Sequence, residues 1–326
     1  MNENNNVLQE YQKRIIDLCD TYTTDPSKIL EFIQFKSQFY QYSLNNTMLI
    51  YGQRPKASFV QSYAAWNKMG ANVLKGEKGL KIYTPVKATY ILNPETSKYE
   101  LLSVAKRENP KLYEAYKEGM VESREKVNFR IGNVFDISQT NFPKERYPEL
   151  YSMGYSSEQH DLLIKGMIDY AGKEHGIDVN SADLESISLR GLSYRGMSVV
   201  EINERLESTQ FLSTLNHEIG HQLLHENTNK PIHQIEFEAD VFSIMLDYHM
   251  GIDVTDARKE HVVACYKNIL KECENENSKE VLDELFDNVF KTYSQEISKI
   301  DVYVDKYLPK DKQQHISKSK NFEIER

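Results

Sequence analysis

The sequence predicts an α+β protein of two domains, an N-terminal half mixing helices with strands and a mostly helical C-terminal half carrying a small edge sheet. The 326 residues exceed one typical domain of about 100–200 residues. The apolar pattern runs with helical period at first, turns strand-like after Gly70, and is helical again from Glu204 onwards. Between the halves, the segment 141–156 holds Pro143, Pro148 and Gly154 among charges and tyrosines, as a linker does. The expected division is therefore 1–140, a linker 141–156, 157–310, and a polar tail 311–326.

Val7, Leu8, Tyr11, Ile15 and Leu18 share one helical face. Asp25-Pro26 reads as the next helix start, a capping aspartate followed by proline at the first helical position. A helix from about Ser43 to Gln53 is stopped by Arg54-Pro55, and another, from about Val60 to Met69, by Gly70. Lys75-Gly76-Glu77-Lys78-Gly79 reads as a tight turn. Leu80–Leu92, Tyr99–Val104 and Val127–Ser138 read as strands, with a short helix opening at Asn109-Pro110. The second half starts with a helix at about 157–175. Short strands broken by Gly191 and Gly196 follow, then helices to about Leu308.

Composition sets limits on function. The balance of 40% hydrophobic and 27% charged residues is that of a globular protein with material for two cores. The polar start predicts no secretory signal, and no apolar run approaches the ~20 residues of a membrane helix. Cys19, Cys265 and Cys273 are scattered and odd in number, which predicts reduced thiols in a cytoplasmic protein. The net charge of −9 argues against a surface coated in cations for duplex DNA. Within it, 54–87 is strongly basic: Arg54, Lys56, Lys68, Lys75, Lys78, Lys81 and Lys87 against Glu77 alone.

The chemistry-bearing motif is His217-Glu218-Ile219-Gly220-His221, an HExxH. On a helix the two imidazoles lie one turn apart on one face and can converge on one ion. Glu218 is then placed as general base. Catalytic zinc takes three protein ligands and leaves one position open. The third is expected from Glu236, at the start of the apolar-periodic helix that follows, with Asp240 one turn on to accept the outer N–H of a ligand histidine. His225, roughly 12 Å along the axis from His217, is too far to share the ion. Glu238 points about 200° away from Glu236 around the helix, and His233 is the weaker alternative. Leu224 and Asn227 stand where HExxHxxGxxH needs glycine and histidine, which excludes that class.

The run TLNHEIGHQLLHE followed by EFEADVFSIML resembles the ImmA/IrrE-type gluzincins over about residues 157–250. The resemblance implies a zincin-like metallopeptidase domain with one Zn2+ on His217, His221 and Glu236. It sets Gly196–Ile202 as the edge strand that would receive an unidentified protein or peptide substrate. The residue that steadies the oxyanion stays open among Tyr194, Arg195, Tyr248, His249 and His261.

Tyr42–Val86 resembles the N-terminal single-stranded-DNA-binding domain of ArdC-type antirestriction proteins, through Asn45, Gln53, Pro55, Trp66, Gly70 and the KGEKG turn. Phe129–Thr140 resembles that domain's closing strand. The resemblance implies a cytoplasmic protein of conjugative or other mobile elements that binds incoming single-stranded DNA. Such binding needs cations along the phosphates and aromatic faces under the bases. Asn45, Arg54, Lys56, Trp66, Lys75, Lys78, Lys81 and Tyr83 are the expected contacts. Two other functions fit the same residues: a shield for single strands with a structural zinc site, and a regulatory peptidase that cleaves a repressor.

Overall fold

A computed structural model describes residues 2–149, 157–184, 188–226, 228–273 and 277–309. Positions 150–156 of the expected linker and the tail 311–326 lie outside the described residues. Three helices open the chain: α1 (Asn2–Thr24), α2 (Lys28–Gln38) and α3 (Leu44–Gln53). Asp25-Pro26 makes the turn before α2 rather than its first residues. The Asp25 carboxylate accepts from Ser27 Oγ at 2.5 Å, and the helix starts two residues later than expected. At α3 the Ser43 side chain accepts from Asn46 N, which fixes its start.

A four-stranded antiparallel sheet follows, built from β1 (Val60–Ser62), β2 (Leu80–Asn93), β3 (Lys98–Leu101) and β4 (Ser123–Asp136) in the order β1-β4-β2-β3. Two sequence expectations are corrected here. Val60–Ser62 is strand, since Val60 pairs with Asp136, and Ser62 caps Ala65 N so that α4 (Tyr63–Lys68) starts only at Tyr63. The strand expected over 99–104 ends at Leu101. From Leu102 the chain forms α5 (Leu102–Glu108), which buries Ala105 with Ile91 and with Leu112 of α6 (Pro110–Lys117).

The outer edge of β2 is closed by side chains. Asn46 accepts from Tyr83 N at 2.8 Å and donates to Tyr83 O at 2.9 Å. Gln53 does the same for Lys81, at 2.8 and 2.9 Å. Each amide stands in for a residue of a neighbouring strand and so blunts an edge that would otherwise template aggregation.

The second half begins with α7 (His160–His175), ended by Gly176 at φ 66°. Strands β5 (Asp178–Ala182), β6 (Gly191–Tyr194) and β7 (Val199–Asn203) form a three-stranded sheet in the order β5-β7-β6. The segment expected at the edge, Gly196–Ile202, supplies β7, which is central. Val200 and Ile202 are fully buried and need neighbours on both sides, so β6 takes the edge. Helices α8 (Ser208–His225), α9 (Ile232–His249), α10 (Asp256–Glu272) and α11 (Ser278–Asp305) complete the fold. No helix among the described residues is long and apolar enough to cross a membrane.

One apolar core joins the two ends of the chain. Tyr11, Ile15, Phe32 and Met48 of the opening helices pack in the same cluster as Leu215, Phe242, Phe286 and Ile297. Phe32 and Phe286 meet edge-on with centroids 6.2 Å apart. The four-stranded sheet has smaller cores of its own, one around Trp66, Ala71, Ile137 and Phe142.

A charged tie joins α9 to α11, with His249 Nε2 2.7 Å from Asp301 Oδ1. Burial disfavours the imidazolium, but the Asp301 charge and hydrogen bond prevail and raise its pKa above the usual value. The pair's contribution is therefore complete below the unfolded histidine value and disappears as pH rises through the raised folded one. Calorimetric melting over a pH series is expected to show wild-type stability falling across that window and a flatter curve for His249→Gln. Parallel curves would show that the pair contributes nothing.

Candidate metal centre

Helices α8 and α9 run side by side, and the sequence spacing on each puts donor atoms on the facing sides. His217 Nε2 and His221 Nε2 lie 3.0 Å apart. Glu236 Oε2 is 3.5 Å from His217 Nε2, and Glu236 Oε1 is 3.6 Å from His221 Nε2. Among the described residues these three alone form a set of metal-type donors, all within 4.8 Å of one another. The fit to an ion is good: tetrahedral bonds of about 2.0–2.1 Å put ligand atoms roughly 3.3–3.4 Å apart. Gly220 lets the helices approach, since a Cβ there would meet Phe242 Cδ1 at 3.3 Å and Ala239 O at 3.4 Å.

Each of the two clustered histidines is backed by another residue. His217 Nδ1 lies 3.0 Å from Asp240 Oδ1, within ion-pair distance. His221 Nδ1 lies 3.3 Å from His225 Nδ1, whose Nε2 is 3.1 Å from the fully buried Glu238. Glu238 also accepts from Lys230 Nζ at 2.7 Å and from Gln234 Nε2 at 2.9 Å, so it is removed from the centre as its helical phase predicts. His233 is turned to Glu272.

The electrostatics divide the two imidazoles. Burial disfavours the charged form of His217, but Asp240 and Glu236 outweigh it and push its pKa up to about 9. Burial and the neighbouring His217 pull His221 down to about 3. The hydrogen bond from His217 holds Glu236 below the usual carboxylate range. Burial pushes Glu218 up to about 7, near the value that suits a general base at neutral pH.

Glu218 lies on a different face of α8 from the two histidines, against the edge strand. A Cβ built on Gly191, the first residue of β6, would stand 2.9 Å from Glu218 Oε1 and 2.8 Å from Thr214 Cγ2. One turn further on, Gln222 Nε2 donates to Ser193 Oγ at 2.8 Å, within 3.3 Å of Tyr194 O and 3.2 Å of Val199 O, tying the β6–β7 hairpin to α8. Thr214, Glu218 and Gln222 thus meet β6 at a spacing of four. Gly191→Ala is expected to displace Glu218 while leaving the metal donors in place. The expected result is about 10²-fold lower activity with an unchanged metal count, since a shift on the order of 1 Å costs about that much.

From α10, Arg258 reaches both carboxylates behind the site. Its Nε is 3.2 Å from Asp240 Oδ1, and Nη1 is 3.1 Å from Asp247 Oδ2 and 2.7 Å from Ser213 Oγ. His261 Nδ1 lies 2.7 Å from Asp240 Oδ2. Burial disfavours the Asp240 carboxylate, but the hydrogen bonds from His217 and His261, with the Arg258 charge beside them, hold it well below the usual carboxylate range. Of the five oxyanion candidates, only His261 is joined to Asp240 among the described residues. His249 is tied to Asp301, and the Tyr194 hydroxyl donates to Glu201 at 2.8 Å. Sequence reading missed Arg258, Gly191, Gln222 and Asp247. Ser213 and Asn216 both donate to Asp247, and Arg258 meets Ser213 and Asp247 from α10, a cluster that no local spacing reveals.

The residues expected to touch DNA differ in how far the fold exposes them. Lys56, Lys75 and Lys78 are exposed. Arg54 donates to Ser138 Oγ at 2.6 Å, and Lys81 to Asn133 Oδ1 at 2.6 Å. Asn45 is half-buried and Tyr83 packs against the main core. Trp66 is fully buried, with Nε1 donating to Phe135 O at 2.8 Å, and offers no ring face to a base.

A helix pair presenting two imidazoles and one carboxylate, flanked by a three-stranded sheet, defines a metallopeptidase-like fold. Residues 5–135 match the N-terminal domain of anti-restriction factor ArdC, and residues 173–263 match the IrrE N-terminal-like domain of a peptidase family. The chain thus carries an ArdC-type N-terminal domain followed by an IrrE-like domain of a peptidase family. The uncharacterized protein pXO2-81 of Bacillus anthracis is 26% identical over 282 residues, covering 80% of this chain and 47% of that protein. The chain thus spans about half the length of that curated relative. Crystal structures of the antirestriction ArdC protein from R388 plasmid are similar at TM-scores of 0.46 (metal-free) and 0.44 (Mn(II)-bound). Their sequence identities are 13% and 12%, over 82% of this chain and 87% and 86% of those chains.

Proposed function

We propose that the protein is a single-stranded-DNA-binding, zinc-dependent peptidase of the antirestriction type, acting on proteins that meet incoming DNA. The observation that carries the peptidase half is the convergence of His217, His221 and Glu236 with Glu218 buried beside them at the edge strand. A bound divalent ion would supply Lewis acidity toward water and a carbonyl oxygen. The other steps belong to the chain. The edge of β6, open among the described residues, orients an extended peptide across α8 by strand addition. Glu218 takes a proton from the attacking water and returns it to the leaving amine. Asp240 and the His225–Glu238 pair fix the ring orientation of the two ligand histidines. A purely structural metal site would have no need of Glu218, and this favours turnover over shielding alone.

The test combines metal counting with cleavage. Equilibrium dialysis against Zn2+ is expected to give one ion per wild-type chain and none for a His217→Ala, His221→Ala double variant. Incubation of the zinc-loaded chain with a library of denatured-protein peptides is expected to generate new termini seen by mass spectrometry. A chain that binds no ion, or one that is loaded and cuts nothing with or without single-stranded DNA, would overturn the peptidase reading.

A further inference from the structure

We propose that the single strand is held by the free stem of the β2–β4 ribbon, with Phe129 as the base platform and Lys87, Lys126 and Arg130 on the phosphates. This rests on the DNA-binding part of the proposed function and names its surface. Over residues 84–89 and 125–133 the sheet is only two strands wide. β3 pairs with β2 only from Tyr90, and β1 pairs with β4 only from Val134. The side-chain seal from α3 ends at Tyr83, so beyond it both backbone edges lie open among the described residues.

The side chains there are unusual for a bare ribbon. Phe129 is 58% and Val127 50% exposed, opposite Pro85 and Lys87 in register. Strand alternation puts Lys126 and Arg130 on the opposite face, opposite Ala88 and Thr84. Glu125 is the one acidic residue in this stretch, and the chain as a whole carries −9. Proline and lysine on an open strand guard it against pairing, which accounts for Pro85 and Lys87. That role does not account for a phenylalanine and a valine facing solvent. Phe129 has Lys87 on its own face, while Lys126 and Arg130 project from the other face along the same open β4 edge, so that bases can stack on the ring while the backbone follows the edge past the cations. Duplex DNA hides its base faces, and a protein partner would not need the cations on both sides of the ribbon.

The spacing also suits the task. Phe129 and Val127 lie on one face about 7 Å apart along the strand, at roughly 3.4 Å per residue, close to the separation of successive unstacked nucleotides. Trp66, by contrast, is sealed in the core, and the KGEKG lysines sit on a turn with no exposed aromatic ring of their own.

Full-length chain and a labelled ~20-mer single strand, followed by fluorescence anisotropy over a salt series, provide the test. Phe129→Ala is expected to weaken binding roughly tenfold, the loss of one stacked base, with Phe129→Trp restoring it. A Lys87→Ser, Lys126→Ser, Arg130→Ser variant is expected to lower the log–log salt slope by about 2, at ~0.7 per phosphate contact. Circular dichroism checks that each variant folds. If wild type binds but both variants bind and respond to salt as it does, the ribbon is not the contact and the DNA reading survives. If wild type binds no single strand even at low salt, both fall. Equal wild-type affinity for duplex, indifferent to Phe129→Ala, would also overturn the assignment.

Discussion

Glu218→Gln is expected to leave one bound ion per chain and to abolish peptide cleavage, by about 10²–10⁴-fold. The side chain keeps its shape and stays against Gly191, so the fold has no reason to change. It is not among the three clustered donors, so metal content should not change either. What it loses is the capacity to accept a proton, which an amide cannot do. The decisive comparison is metal content beside turnover for the same sample. Retained turnover in the loaded variant would remove Glu218 from the chemistry. Loss of the ion along with activity would instead make it part of the metal centre.

The largest expected effect on stability comes from a residue outside the motif. Arg258→Met removes the one guanidinium that bridges Asp240 and Asp247, both buried. Burial already raises Asp247, and Arg258 is the leading influence against it. Removing one partner of a buried ionic group leaves an uncompensated charge and costs about 3–5 kcal/mol. In a chain of this size that corresponds to a melting-temperature loss of about 4–7 °C. Because Asp240 also orients His217, zinc affinity should weaken by roughly 10–100-fold. Arg258→Lys is expected to recover only part of this, since one ammonium cannot fork to Asp240, Asp247 and Ser213 together. Melting and zinc titration unchanged in Arg258→Met would show that α10 merely covers the site.

The centre and its surroundings differ in what makes them visible in the sequence. His217, Glu218 and His221 are fixed relative to one another by 3.6 residues per turn, and Glu236 and Asp240 by the same rule on the next helix. The same reasoning removed Glu238, whose phase sends it to Lys230 and His225. Helix starts were legible at Ser43 and Asn109, where a side chain caps a nearby backbone N–H. Periodicity failed at Val60–Ser62 and at Leu102, because short apolar runs suit strand and helix equally. Pairing with Asp136 decided the first and packing against Ile91 the second.

Local spacing by itself picked out the three side chains that cluster, the general-base candidate, the α+β class and the order of most elements, because each follows from periodicity along a single segment. Only the tertiary structure decided which strand forms the edge, that Trp66 is core, and that Arg258 and Gly191 shape the site. It also joined the opening helices and the closing ones in one core. These are contacts between segments far apart in the chain. Their partners are selected by burial and close approach in three dimensions, and no period along the sequence records that choice.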